Sequence, residues 1–129
     1  MPREGVGGLE AIVIDAEDPV ALAGFWADMF GTEVVSVEPE YPFYVDLAPR
    51  TGIPPIVFQR TEEARVVKNR IHLDVTVDDI EAATVRLEQL GGRRIDERIG
   101  TEVGYDFRAV ADPEGNEFCL VRKVPETRG

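Results

Sequence analysis

Ala11-Ile12-Val13-Ile14-Asp15-Ala16-Glu17-Asp18 and, 61 positions later, His72-Leu73-Asp74-Val75-Thr76-Val77-Asp78-Asp79 are two versions of one phrase. Each is an apolar run that leads into a helical pattern, which closes at Gly31 in the first copy and Gly92 in the second. Asp18 corresponds to Asp79. Further on, Ile56-Val57-Phe58-Gln59-Arg60 is answered by Phe118-Cys119-Leu120-Val121-Arg122, one residue out of that register. Few identities survive, yet apolar pattern, cap and stop recur in order. Such a repeat predicts two similar units, and the seam between units of this kind is a natural place for a pocket.

Working outward, residues 9–15 are rich in Ile and Val and read as a mostly buried strand. Asp18-Pro19 starts a helix, because Asp accepts from free backbone N–H groups and Pro fits the first turn. Leu22, Phe25, Trp26 and Met29 fall on one face at helical spacing, which favours core packing over an aromatic ligand box. Strands follow near 32–37, 42–48 and 55–60, with the loop Pro49-Arg50-Thr51-Gly52-Ile53-Pro54-Pro55 as the clearest break. Residues 61–69 are a polar connector. The second half repeats the scheme: a strand over 70–77, a helix that Asp78 and Glu81 open at capping-box spacing, and strands near 93–98, 103–110 and 116–122. Ala82 or Ala83, Val85 or Arg86, Leu87 and Leu90 are the candidates for its buried side. Asp112-Pro113-Glu114-Gly115-Asn116 is a turn, with its Asp and Asn as turn formers and not calcium ligands. Each half therefore reads β-α-β-β-β, an α+β class.

With 129 residues, the chain has the length of one domain holding two half-units. Its net charge of −11 repels phosphate backbones, which argues against nucleic-acid partners. No apolar run approaches the roughly 20 residues of a membrane span, and the N-terminus lacks a signal-peptide pattern, so a cytoplasmic location is the expectation. Gly5-Val6-Gly7-Gly8 precedes a strand and does not follow one, so it is no dinucleotide loop.

The segments Asp18-Pro19 through Phe25-Trp26 to Gly31, then Asn69-Arg70-Ile71-His72-Leu73-Asp74-Val75, then Asp112-Pro113-Glu114-Gly115-Asn116-Glu117-Phe118, resemble the vicinal oxygen chelate superfamily. That superfamily includes glyoxalases, bleomycin-resistance proteins and extradiol dioxygenases, and the chain looks closest to its glyoxalase-like branch. The resemblance covers residues 8–123, as modules of about 8–61 and 69–123, and leaves 124–129 as a frayed tail. It implies two βαβββ modules forming a curved eight-stranded mixed sheet around a central cleft, in a protein that commonly forms a homodimer.

In metal-using relatives the ligands, usually His, Glu or Gln, sit at the start of each module's first strand and on its last strand. Carried over by position, they fall on Ala11, near Val57, on His72 and on Cys119. Only His72 matches. Glu10 faces away from Ala11 by strand parity, and Glu117 lies about 6.6 Å along the strand from Cys119. A His72–Cys119 pair suits a thiophilic ion such as zinc, but two ligands make a poor site, so no metal cofactor is expected. With one histidine in the chain, extradiol dioxygenase chemistry, which needs two, is close to excluded.

His72, Asp74 and Thr76 alternate and so share one face of a strand, with Asp15 in the matching place of the other module. His72, Asp74 and Asp15 are the candidate acid/base groups, because imidazole titrates near neutral pH. Side chains two residues apart start about 7 Å from each other, so His72 and Asp74 are expected to flank a substrate and not to touch. A purely structural His72, bonded to sheet or water, is the competing reading. The resemblance implies that Phe107 takes a position that faces the cleft in many relatives, and Tyr105 shares its parity; those two, with Tyr41 and Phe43, are candidate walls for a flat ligand, with Gln59 and Cys119 as further lining residues. Cys119 reads as a small buried residue and not a nucleophile, since no basic neighbour is evident.

Three functions fit these residues. The first is a bleomycin-resistance-like protein that encloses a small aromatic or cationic molecule without the usual metal triad. The second is an isomerase, lyase or cyclase, metal-free or with a degenerate metal site, using His72 and nearby carboxylates. The third is a regulatory module with no catalysis of its own. This fold hosts all three.

Overall fold

The computed structural model describes residues 7, 9–37, 44–62, 67, 69, 71–102 and 104–124. The chain divides into two compact units, residues 1–64 and 65–129, each an α+β unit with one helix on one mixed sheet.

In the first unit, β1 (Ile12–Ala16) leads into α1 (Pro19–Phe30). The Asp18 carboxylate caps that helix, accepting from Ala21 N at 3.1 Å, and Gly31 closes it at φ 66°, a left-handed conformation that costs glycine little. Arg50 donates to the carbonyl of Phe30, so the loop after β3 also satisfies the end of the helix. Then come β2 (Val34–Val37), β3 (Tyr44–Leu47) and β4 (Ile56–Arg60), in the sheet order β1-β4-β3-β2 with β1 parallel to β4. Leu22, Phe25 and Trp26 of α1 are buried with Val45, Ile56 and Phe58 of the sheet. Trp26 packs edge-on to Phe25 with ring centroids 5.4 Å apart. Each such side chain contributes about 1.5–3 kcal/mol when fully buried, so this face alone holds the helix down.

The second unit runs β5 (Asp74–Thr76), α2 (Ile80–Gln89), β6 (Arg93–Arg94), β7 (Gly100–Glu102), β8 (Tyr105–Ala111) and β9 (Glu117–Lys123). The sheet order is β5-β9-β8-β6, with β7 also on β8 and β5 parallel to β9. The strand expected over 93–98 is limited to Arg93–Arg94, and a separate short strand at Gly100–Glu102, outside that range, gives this sheet a fifth strand. The cause is local: the amides of Ile95 and Asp96 both donate to Ala109 O, while the Asp96 carboxylate accepts from Ala109 N at 3.1 Å. A side chain has taken the place of a ladder carbonyl.

Three details of α2 differ from the sequence pattern. Its cap is Asp79, which accepts from Ala82 N at 3.0 Å, and not Asp78. The helix ends at Gln89, three residues before the Gly92 expected to close it, and Gly91 follows at φ 99°. Gly92 serves close packing instead, since a Cβ there would lie 2.7 Å from both Ala111 O and Leu87 Cδ2. Its buried residues are Ile80, Thr84 and Leu87, whereas Val85 is exposed and Ala82 faces solvent. Thr84 is buried because its hydroxyl donates to Ile80 O at 2.6 Å and accepts from Arg108 Nη1 at 2.9 Å. A pattern of apolar letters passes over a threonine satisfied in this way. No helix among the described residues is long and apolar enough to cross a membrane.

Candidate functional site

The sheet of the second unit has a helix-packed face and an open one. Val75, Arg108, Val110, Phe118 and Leu120 are buried on the α2 side. The alternate residues Asp74, Thr76, Tyr105, Phe107, Cys119, Val121 and Lys123, together with Glu102, line a cavity of about 590 Å³. Strand register sorts them into three rows. Asp74 is opposite Cys119, which is opposite Ala109. Thr76 is opposite Val121, then Phe107, then Gly100. Lys123 is opposite Tyr105, then Glu102. The face therefore grades from donor groups, through an apolar middle, to a mixed-charge end.

At the donor end, His72 Nε2 lies 3.5 Å from Asp74 Oδ1. The two side chains touch, contrary to the expectation from strand spacing. His72 precedes β5, and imidazole and carboxylate together span the gap that separates their Cβ atoms. Cys119 joins them: one donor atom from each of His72, Asp74 and Cys119 lies within 4.8 Å of the others. Cys119 is half-buried and not a core residue as expected, because its strand turns it to the cavity while Phe118 and Leu120 fill the core.

What holds this corner is the turn at 112–116. The buried Asp112 accepts from Glu114 N and Asn116 N through Oδ1, and from Asn116 Nδ2 through Oδ2. Asn116 Oδ1 in turn accepts from Asn69 Nδ2 at 3.1 Å, and Leu73 O accepts from Cys119 N at 3.0 Å. Asn69, before His72, is thus tied to the turn that precedes β9, and Leu73, after it, to Cys119 on β9 itself. Asp112 and Asn116 are turn formers, as the sequence indicated, and they also position the donors.

Phe107 has a wall of its own. Its ring lies so close to Gly100 that a Cβ there would come within 2.6 Å of Cζ. The same ring borders a shallower cavity of about 480 Å³ over Ile95, Asp96, Glu97, Arg98 and Gly100.

The family model for the glyoxalase-like domain matches residues 11–121, almost the whole of both units. The chain belongs to that family. Among solved structures, the fold is shared with a glyoxalase family protein from Bacillus cereus, at TM-score 0.72 and 17% identity over 97% of this chain and 99% of that one. It is shared with the genomically encoded fosfomycin resistance protein FosX from Listeria monocytogenes, at 0.72 and 16% over 96% and 99%. A glyoxalase/bleomycin resistance protein/dioxygenase family enzyme from Burkholderia phytofirmans PsJN matches at 0.66 and 22% over 89% and 98%. None of the curated protein sequences matches the chain.

The metal-ligand positions that the resemblance implied do not fit this glyoxalase-like chain, since Ala11 and Val57 carry no donor atom. In the first unit, Asp15 is exposed on β1 opposite Gln59, which is half-buried and opposite Tyr44 on its other side. Tyr44, 52% exposed, is an aromatic on the same face that the sequence reading passed over. Tyr41 and Phe43 lie outside the described residues. Tyr105 and Phe107 line the cavity together with Thr76, Val121, Glu102 and Lys123. The last three carried no motif, but strand parity from Phe107 and Cys119 would have found Val121 and Lys123.

Proposed function

We propose that this glyoxalase-like protein captures a small molecule with an aromatic body and a cationic group on the open face of the second unit, in the manner expected of a bleomycin-resistance-like binder. The graded cavity carries this reading: Phe107, Val121 and Tyr105 offer an apolar bed, and Asp74 and Glu102 outnumber Lys123 among its charged groups. The chain's net charge of −11 favours approach of a cation over an anion. The family match and the likeness to FosX support a small-molecule role without naming the molecule.

Fluorescence titration with thioflavin T, a cationic aromatic dye, against the anionic dye anilinonaphthalene sulfonate tests this. The cationic dye should bind at least about tenfold more tightly, and Phe107→Ala should weaken it by about tenfold, the equivalent of about 1.4 kcal/mol. Equal binding of both dyes, or indifference to Phe107→Ala, refutes the reading.

The 3.5 Å contact of His72 with Asp74 favours a second reading, metal-free isomerase, lyase or cyclase chemistry with His72 as the proton carrier and Asp74 orienting it. Under that reading His72→Ala abolishes turnover and leaves ligand binding intact, whereas a pure binder has no turnover to lose.

A further inference from the structure

We propose that Lys123, Tyr105 and Glu102 form a clamp for a zwitterionic head group, so that the captured molecule is of the aromatic amino-acid class, with an ammonium and a carboxylate beside its ring. Such a clamp presupposes that the open face captures a small aromatic cation, and it adds a group of opposite charge to that molecule. All three residues line the cavity of the second unit. They stand in one row across three strands: Lys123 on β9 is opposite Tyr105 on β8, which is opposite Glu102 on β7. Directly opposite residues on antiparallel strands share a face, so ammonium, phenol and carboxylate point into the same space. Neither Lys123 nor Glu102 enters an ion pair among the described residues.

The row is held at its tip. Gly104, in the turn between β7 and β8, has φ 84°, and its carbonyl accepts from Val124 N at 3.0 Å, just past Lys123. The hairpin end is therefore fixed against the end of β9, and the spacing across the row is that of the sheet. Lys123 and Glu102 are two strand intervals apart, about 9–10 Å. Side chains stand roughly perpendicular to a sheet, so their ends keep about that spacing. An ammonium and a carboxylate on one carbon lie about 3 Å apart, and a charge-assisted hydrogen bond of about 2.8 Å on each side extends the span to about 9 Å. The Lys123 ammonium and the Tyr105 hydroxyl donate to the ligand carboxylate, and the Glu102 carboxylate accepts from the ligand ammonium. The next row, about 6.6 Å away, holds Phe107 and Val121, and the ligand's ring lies there. Asp74, about 13–14 Å from Lys123 across the sheet, is too far to serve the same head group.

The test is calorimetric titration of the full chain with three probes that share one ring system: naphthylalanine, naphthylethylamine and naphthylpropanoate. The amino acid should bind at least about tenfold more tightly than the amine, which lacks the carboxylate, and than the acid, which lacks the ammonium. Lys123→Gln should bring the amino acid down to the affinity of the amine, and Glu102→Gln should bring it down to that of the acid. Arg122→Gln removes the same charge from the other face of β9 and should leave the ranking unchanged. Equal affinity of amine and amino acid for the wild-type protein overturns the clamp, as does a preference that survives both Lys123→Gln and Glu102→Gln. Thioflavin T titrated into the same samples keeps the clamp apart from the capture of an aromatic cation. Dye binding without a preference for the amino acid sinks the clamp alone, and failure of the dye and all three probes sinks both. Lys123 and Glu102 are exposed, and the wild-type ranking of the probes decides alone should either variant fail to fold.

Discussion

Replacing Gly100 with alanine tests the central packing feature of the open face. Carbon atoms in ordinary contact sit about 3.5–4.0 Å apart. A Cβ at Gly100 would meet Phe107 Cζ at 2.6 Å, Cε2 at 2.9 Å and Cε1 at 3.1 Å, an overlap of about 1 Å along one edge of the ring. Backbone strain adds nothing, because Gly100 is not among the positive-φ glycines. Either the ring swings toward the cavity or β7 moves off β8 at the Gly100–Phe107 pair. Overpacking of this kind costs about 1–3 kcal/mol. In a Phe107→Ala background the obstacle is gone, and removal of a strand glycine should be neutral or stabilising by about 0.5–1 kcal/mol. Urea unfolding of the four proteins of this cycle should therefore give a coupling energy of about 1–4 kcal/mol. Gly100→Ala should also weaken thioflavin T, since the displaced ring no longer lies where the ligand rests. A Gly100→Ala cost that is the same in both backgrounds refutes the argument that the ring and the glycine fit each other.

The buried Arg108 donates to Glu81 Oε1 at 2.8 Å, to Thr84 Oγ1 and to Glu97 O, while Glu81 itself is largely exposed. Glu81→Ala strips the counter-charge from a buried guanidinium and should cost about 2–3 kcal/mol, whereas Arg108→Met removes the buried charge itself and should cost only about 1 kcal/mol, measured by denaturant midpoints. The reverse order would mean that the guanidinium's packing, and not its charge, holds α2 to β8. At the surface, hydrogen bonding from Arg94 holds the Glu88 carboxyl below its usual range, and Glu88 holds the Arg94 guanidinium above its own. A depressed carboxyl stabilises the fold above its unfolded value and loses that effect as pH falls through its folded one, so the stability difference between wild type and Arg94→Gln should be constant near neutrality, shrink as pH falls below the ordinary glutamate range and vanish once pH is below the lowered folded value. Because the pair is exposed, that difference should be small, and a persistent gap at pH 2–3 would contradict its electrostatic origin.

Much of the architecture was legible because its signals are local. Asp18 and Gly31 mark α1 through capping chemistry that depends on a few consecutive residues, and the apolar face of α1 follows from a 3.6-residue period. The donor character of His72 was readable from residue type, whereas Phe107 was singled out through the resemblance and Tyr105 through strand parity with it. The early stop of the strand at Arg94 was not, since it depends on a carboxylate from Asp96 reaching the backbone of Ala109. Nor was the burial of Thr84, whose hydroxyl is satisfied by Ile80 of its own helix and by Arg108 on a distant strand. The stop of α2 was misplaced for a related reason: Gly91 turns the chain and Gly92 admits Leu87 and Ala111, and two adjacent glycines look alike in sequence.

By itself, the sequence determined that the chain would fold as two α+β units, each with a helix after its first strand, which face of α1 would be buried, and that the family's metal-ligand positions could not all be filled. Those properties follow from periodicity, caps and side-chain chemistry, each set within a few residues. Only the tertiary structure decided that Asp74 stands opposite Cys119, that His72 closes on Asp74, and that Phe107 lies on Gly100. Parity fixes which face a strand residue takes, but the neighbour it meets there is set by hydrogen-bond register between segments far apart in the chain. The three donors gather at one corner because β5 and β9 pair in parallel, with Asp74 and Cys119 in register.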